Sequence, residues 1–276
     1  MIDLIVSQGR VADKTTQTIV GAARTAQALE RQYKIKGQYI GKPTPPANDD
    51  WRVSLPQAKE TLLALGQAVM TSIQSDHLTV MVSNTCPASL ASLPKVAQSY
   101  PDAIVLWIDA HGDFNTPETT STGYLGGMVL SAVCGLWDSG HGSGLRPEQV
   151  ILIGARDVDP AELELLQSSG VRIIPPNEAT PENILSVIGG SPVWLHVDWD
   201  VLEPGFVPAD YKVLNGLLPA QLRSLFKAIP IEQILGIELA EFKAPLEDES
   251  CEKAISIILN IISPILEIEQ IAWEPK

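Results

Sequence analysis

No apolar run in this 276-residue chain reaches the roughly 20 residues that a membrane-spanning helix needs, so a membrane span is not expected. Cysteine is sparse as well. Cys86, Cys134 and Cys251 are an odd set without CxxC spacing, which argues against a disulfide framework and for a reducing cytoplasm. The opening MIDLIVSQGR has neither a basic flank nor a small-residue cleavage site, and it reads as a buried strand rather than a signal peptide. Positive charge is scarce: 19 Lys and Arg face 33 Asp and Glu, a formal net charge of -14. Phosphate backbones and anionic membrane surfaces are therefore not expected as partners, whereas small or cationic ligands are. HExxH, G-x-S-x-G and P-loop motifs are all missing from the sequence. So are repeats and low-complexity tracts.

What remains is 45% apolar and alternates between two patterns along most of its length. Short apolar, β-branched runs read as strands at Ile2 to Ser7, Leu78 to Ser83, Ala103 to Asp109, Gln149 to Gly154, Val171 to Ile174, Pro192 to Asp198 and Gln233 to Ala240. Between them, apolar residues at three- and four-residue spacing predict helices at Thr18 to Arg31, Pro56 to Ser75, Pro87 to Ser99, Pro160 to Ser168, Pro181 to Ile188, Pro219 to Ala228 and Glu252 to Leu266, several with Pro in the first turn. The alternation predicts an α/β fold of three layers, α/β/α, with a mostly parallel sheet, formed by residues 1–276 as a single domain. The stretch GKPTPPANDD at 41–50 is too short for an interdomain linker and reads as a rigid polar loop.

Two strand ends carry chemistry. In VLWIDAHGDFNTPETT an apolar strand ends in Asp109, His111 and Asp113. If extension persists, two-residue spacing points all three to one side. In VWLHVDWDVLEP a second strand ends in Asp198 and Asp200, with His196 on the same face. Open α/β sheets bind ligands at the carboxyl ends of their strands, and a divalent cation offsets the penalty of gathering acids there. Five hard or borderline donors suit Mn²⁺ above all. Bridging carboxylates would allow two ions about 3.5 Å apart with a hydroxide between them. Either segment alone would also suit an N-cap or a surface acid pair.

On the motifs DAHGD at 109–113, DWDVLEP at 198–204 and GIELAE at 236–241, together with the run DAHGDFNTPETTSTGYLGG, the chain resembles the ureohydrolase family of arginases, agmatinases and formiminoglutamases. The resemblance spans most of the chain. It implies an arginase-like fold, usually assembled as trimers or hexamers, and two Mn²⁺ ions per chain, with one possible. Asp109 and Asp198 would bridge the ions, Asp113 would belong to one, and His111 and Asp200 to the other. Asn115, Thr122 and Asp159 would hold the amino-acid end of a substrate, and Glu241 its guanidinium. From the residues alone, Asp159 would equally serve as a helix N-cap, and Glu241 would either neutralise a cation or be solvated. The activity implied is hydrolysis of a guanidino or amidine C–N bond by a metal-bridging hydroxide, with Asp113 moving a proton and arginine the first substrate to try.

Two positions depart from the family pattern. Cys86, in VMVSNTCPASL, stands where a glycine-glycine-acid-histidine motif supplies a further ligand. It would either bind metal as a thiolate or be a small buried cysteine at a helix start. Gly126 falls where arginases carry a proton-shuttling histidine. Four histidines exist, His77, His111, His141 and His196. His196 would replace part of the lost imidazole function as a partner or base near the metal, or be a hydrogen-bonded core residue. His141 lies in a glycine-rich loop. Both departures leave open a catalytically degenerate metal-binding protein with a binding or regulatory role.

Overall fold

A strand such as Ile104–Ile108, IVLWI, can bury every side chain only if both faces of its sheet are covered. The computed structural model, which describes residues 1–266, provides that cover. Among the described residues, β1 (Ile2–Ser7), β2 (Gly37–Ile40), β3 (Leu78–Val82), β4 (Ile104–Ile108), β5 (Val150–Ile153), β6 (Arg172–Ile174), β7 (Val193–Asp198) and β8 (Ile234–Ala240) form one sheet. Their order is β2-β1-β3-β8-β7-β4-β5-β6, and every pairing is parallel.

The period of two sorts the strand side chains into two cores. Leu106 and Ile108 of β4 join Leu195, Val197, Ile237 and Leu239 on one face. That face is covered by α1 (Thr16–Tyr33), α6 (Pro181–Ile188), α7 (Pro219–Ala228) and α8 (Asp248–Leu266). Val105 and Trp107 turn to the other face, with Met81, Leu152 and Trp194. There the cover is α2 (Trp51–Gln74), α3 (Ser89–Ser99), α4 (Val129–Val133) and α5 (Pro160–Ser169). The expected three-layer arrangement with a parallel sheet is therefore present. No helix among the described residues is long and apolar enough to cross a membrane.

Two local expectations are corrected. Helix α2 begins at Trp51 rather than Pro56, because the Asp50 carboxylate accepts from the Arg52 N–H and caps it. Pro56 then sits one turn inside, where it removes one backbone bond. Strand β2, GQYI, had no apolar signature to reveal it. As an edge strand it pairs only with β1 and needs little burial of its own.

Candidate metal centre

Four neighbouring strands in the middle of the sheet, β3, β8, β7 and β4, deliver acids, a thiol and an imidazole to one end. Cys86 opens the short 3-10 turn Cys86–Ala88 that follows β3. Glu241 follows β8, Asp198 closes β7, and Asp200 lies in the single 3-10 turn after it. Asp109 and His111 follow β4.

Backbone donors fix these side chains before any ligand arrives. Asp198 accepts from the Asp200 N–H at 2.9 Å, Asp200 from the Ala110 N–H at 3.2 Å, and Asp109 from the His111 N–H at 2.7 Å. The Trp107 indole donates to the second Asp109 oxygen at 3.0 Å. Arg156 clamps the segment beyond Asp200, donating to the carbonyls of Asp200, Val213, Leu214 and Gly154 at 2.8 to 3.0 Å.

Two donor groups result, and both contain Asp109. In one, Cys86, Asp109 and Asp198 each offer a ligand atom within 4.8 Å of the others; in the second, Asp109, His111 and Asp200 do so. Asp113 belongs to neither, which corrects the expectation that three extended residues point to one side. Extension ends at Ile108, and Asp113 adopts a left-handed backbone with φ 48°. Glu162 and the Leu130 N–H, which donates to the Asp113 carbonyl at 2.9 Å, brace this turn. The Glu162 carboxylate accepts from the Phe114 N–H at 2.8 Å and presses so close to Gly112 that a Cβ there would lie 2.7 Å away. Asp113 is thereby turned to line the cavity in front of the donors.

The electrostatics call for a cation. Asp109, Asp113, Asp198, Asp200 and Glu241 are all buried, and among the described residues His111 is the one cationic partner in their hydrogen bonds. Burial, followed by the charge of neighbouring carboxylates, raises Asp113 and Asp198 well above the usual carboxylate range, and raises Asp200. Glu241 is also raised well above it by burial, although the Cys86 N–H opposes the shift. For Asp109, burial is outweighed by the hydrogen bonds and charge of His111, which hold its carboxyl low. Burial lowers His111 less than Asp109 and Asp200 raise it, so the imidazole keeps its proton. Cys86 is driven well up by burial and then by the Asp198 charge, and its thiol donates to Asp198 Oδ2 at 3.2 Å. Clustered carboxylates, all but Asp109 favouring a proton over mutual repulsion, together with an imidazole and a thiol, form a donor set that fits divalent ions.

A cavity of about 280 Å³ opens onto this floor, lined by Cys86, His111, Asp113, Asp198, Asp200 and Glu241 at its inner end. Asn115, Thr122 and Asp159 also line it. Asp159 occupies the N-cap position of α5, yet its side chain makes no capping hydrogen bond, so the carboxylate is left for the cavity. Glu241 adopts φ 65° and accepts from the Cys86 N–H at 3.0 Å, which anchors one of its oxygens.

His196 lies elsewhere. It is fully buried beneath Cys86 and has no surface on the cavity. Its Nε2 is 3.4 Å from Cys86 Sγ, its Nδ1 is 2.9 Å from Glu238 Oε2, and its ring stacks on Trp107 with centroids 3.5 Å apart. Glu238 is also buried and accepts from Ser89, Ser92 and the Trp194 indole. The position suits a partner that holds Cys86, and it prevents direct contact with a substrate. The loop of His141 packs beside Pro94 of α3, and His141 is absent from the cavity lining.

Sequence reading missed Glu162, Tyr124, Asp210 and Tyr211, all of which line the cavity. Burial pushes the Glu162 carboxyl up to about 7, against the lowering effect of the Phe114 N–H. Its signal was available only in retrospect, as an acid on the first turn of a helix that begins at a strand's carboxyl end.

Residues 8–265 match the Arginase family. The chain is 61% identical, over 96% of its length and 97% of that protein, to an N(omega)-hydroxy-L-arginine amidinohydrolase of Streptomyces lavendulae. The arginase of Bacillus caldovelox superposes with a TM-score of 0.82 at 25% identity, covering 96% of this chain and 97% of that one. The Entamoeba histolytica arginase in complex with L-ornithine gives 0.85 at 18% identity, over 96% and 97%.

Proposed function

The chain belongs to the arginase family, whose members are binuclear-metal hydrolases of guanidino C–N bonds, and we propose that its own substrate is Nω-hydroxy-L-arginine, cleaved to N-hydroxyurea and ornithine. The observation that carries the reading is the fully buried Asp109, shared by two donor groups whose other members, Cys86, Asp198, His111 and Asp200, line the cavity. The 61% identity to a protein named for that reaction moves the first substrate from arginine to its N-hydroxy form.

Asp109, His111 and Asp200 would hold one Mn²⁺ ion, and Cys86, Asp109 and Asp198 the other, while Asp113 lines the same cavity. Such a pair supplies a hydroxide nucleophile at neutral pH and Lewis-acid polarisation. The residues do the rest. The free oxygen of Glu241 accepts from the N–H groups of the guanidine and orients its trigonal carbon. Asp113, which lines the cavity beside the donors, accepts a hydrogen bond from the attacking oxygen and passes a proton to the departing amine. Asn115 and Thr122 offer polar groups to the substrate carboxylate, and Asp159 and Glu162 to its ammonium. Cytoplasmic residence is proposed from the three free cysteines and assembly into trimers or hexamers from the family resemblance, the latter tested by sedimentation velocity.

The reading is tested by loading the protein with Mn²⁺ and assaying product from Nω-hydroxy-L-arginine, L-arginine and agmatine. Two ions per chain and N-hydroxyurea from the first compound are expected. Two ions without product from any of the three would leave a metal-binding protein that has lost hydrolysis.

Cys86 ligation has a separate test. With Co²⁺ in place of Mn²⁺, a thiolate-to-cobalt charge-transfer band is expected in the near ultraviolet, and Cys86→Ser removes it. His196→Ala leaves the thiol without its neighbour and weakens metal affinity about 10- to 100-fold, as loss of a supporting partner usually does. A band that survives Cys86→Ser, or is missing from the wild type, rules out the thiolate.

A further inference from the structure

Gly126 leaves one wall of the cavity without a side chain of its own, and the ring of Tyr124 occupies that wall. A Cβ placed on Gly126 would lie 2.3 Å from Cε1 and 2.9 Å from Cζ of Tyr124. The edge of the ring that carries the phenol therefore stands where any side chain at 126 would begin. Lys14 braces the ring, with Nζ 3.5 Å from its centroid, while the same ammonium donates to the Tyr211 hydroxyl at 2.8 Å. Tyr124 faces the cavity together with Cys86, Asp113 and Glu241. Among the described residues no protein group hydrogen-bonds its phenolic oxygen, so the phenol is available to a ligand.

The chemistry of the other walls says which ligand group needs it. Asp113, Asp198, Asp200 and Glu241 are oxygen acceptors when ionised, well suited to the N–H groups of any guanidine. They repel the lone pairs of an oxygen attached to that guanidine. A phenol both donates and accepts, as an N-hydroxyl does.

Resting on the substrate reading above, we propose that Tyr124 is a specificity-determining residue whose phenol hydrogen-bonds the N-hydroxyl group of an N-hydroxyguanidine, so that the hydroxylated substrate is selected over the plain guanidine. A site built to hydrogen-bond a substrate hydroxyl discriminates against the analogue that lacks it, because its own polar group is then left unpaired.

The experiment compares wild type with Tyr124→Phe, which keeps the ring and its contact with Lys14. It measures kcat/KM for Nω-hydroxy-L-arginine, the inhibition constant of L-arginine as a competitor, and the thermal midpoint as a check on folding. The variant is expected to lose about tenfold in kcat/KM for the hydroxylated substrate, the effect of one neutral hydrogen bond, while the L-arginine constant moves less than about twofold and the midpoint holds. Lys14→Met, which frees the ring but keeps the phenol, is expected to erode the same preference in part. Equal losses for both ligands, or none, would overturn the assignment and reduce Tyr124 to wall packing. A wild type that releases N-hydroxyurea while Tyr124→Phe keeps the preference removes this inference alone; a wild type without turnover of any guanidine removes the substrate reading, and this inference with it.

Discussion

Asp109→Asn is expected to strip both divalent ions from the chain and to lower kcat on the order of a thousandfold or more, since no hydroxide nucleophile forms without the ions. The amide keeps the shape of the carboxylate, and its oxygen still accepts from the His111 N–H. Its NH2 group then faces the Trp107 indole N–H that the carboxylate accepted, a local cost of about 1 to 3 kcal/mol that the thermal midpoint reads, while the charge common to both donor groups is gone. The neighbours feel the change as well. His111 keeps its proton because Asp109 and Asp200 both hold it; with Asp109 neutral, only Asp200 remains to do so. Elemental analysis of dialysed protein beside a turnover assay reads the result. One ion retained at full occupancy, with activity within tenfold of wild type, would show that Asp109 is not shared and that the two donor groups work independently.

The second large effect is on stability, and it depends on pH. Without metal, the folded chain holds protons on Asp113, Asp198, Asp200 and Glu241 at pH values where the unfolded chain has lost them, since each of these acids is raised. The stabilising protonated state is fully present below the ordinary carboxylate range. It is lost as pH rises through that range toward the raised values, so metal-free stability falls as pH rises above the ordinary carboxylate range. His111, also raised, acts in the same direction above its ordinary value, because the folded state keeps a proton that the unfolded state gives up. Asp109, held low, stabilises the fold above its ordinary value and loses that contribution only in more acid solution. Metal binding replaces these protons and therefore strengthens as pH rises. Ions at a thousandfold excess over their Kd contribute about 4 kcal/mol, which is roughly 10 °C in Tm for a chain of this size. The gap in Tm between loaded and chelated protein is expected to be small at pH 5 and to reach that size at pH 8. A gap of constant size across this range would mean that the acids are not what the ions neutralise.

The strand ends were legible in the sequence because a strand buried on both faces carries few polar residues before it leaves the sheet, and those inside it, His196 and Glu238, are paired with each other in the core. Asp109 follows the unbroken apolar run of β4, and Asp198 closes β7, whose run His196 alone interrupts. Legibility failed where position depends on a distant element. The turn that brings Asp113 to the cavity is braced by Glu162, 49 residues away in sequence from Asp113 and on another helix. Tyr124 reads as an ordinary loop aromatic until the bare Gly126 and the Lys14 ammonium are seen against its ring. The role of His196 was open for the same reason. Its burial against Trp107 and Glu238 is a product of sheet order, which local patterning does not encode.

Sheet order also governs when the site comes into being. Its donors leave four strands that sit side by side in space but are drawn from residues 78 to 240 of the chain, so no local segment carries more than part of the set. Pairings over such separations require the closure of long loops and form slowly. A partly folded chain with β3 and β4 in place but β7 and β8 unpaired would hold Cys86 and Asp109 without Asp198, and His111 without Asp200. Metal uptake thus cannot precede the docking of β7 between β4 and β8, and the capture of an added ion during refolding sets the latest time by which that docking has occurred.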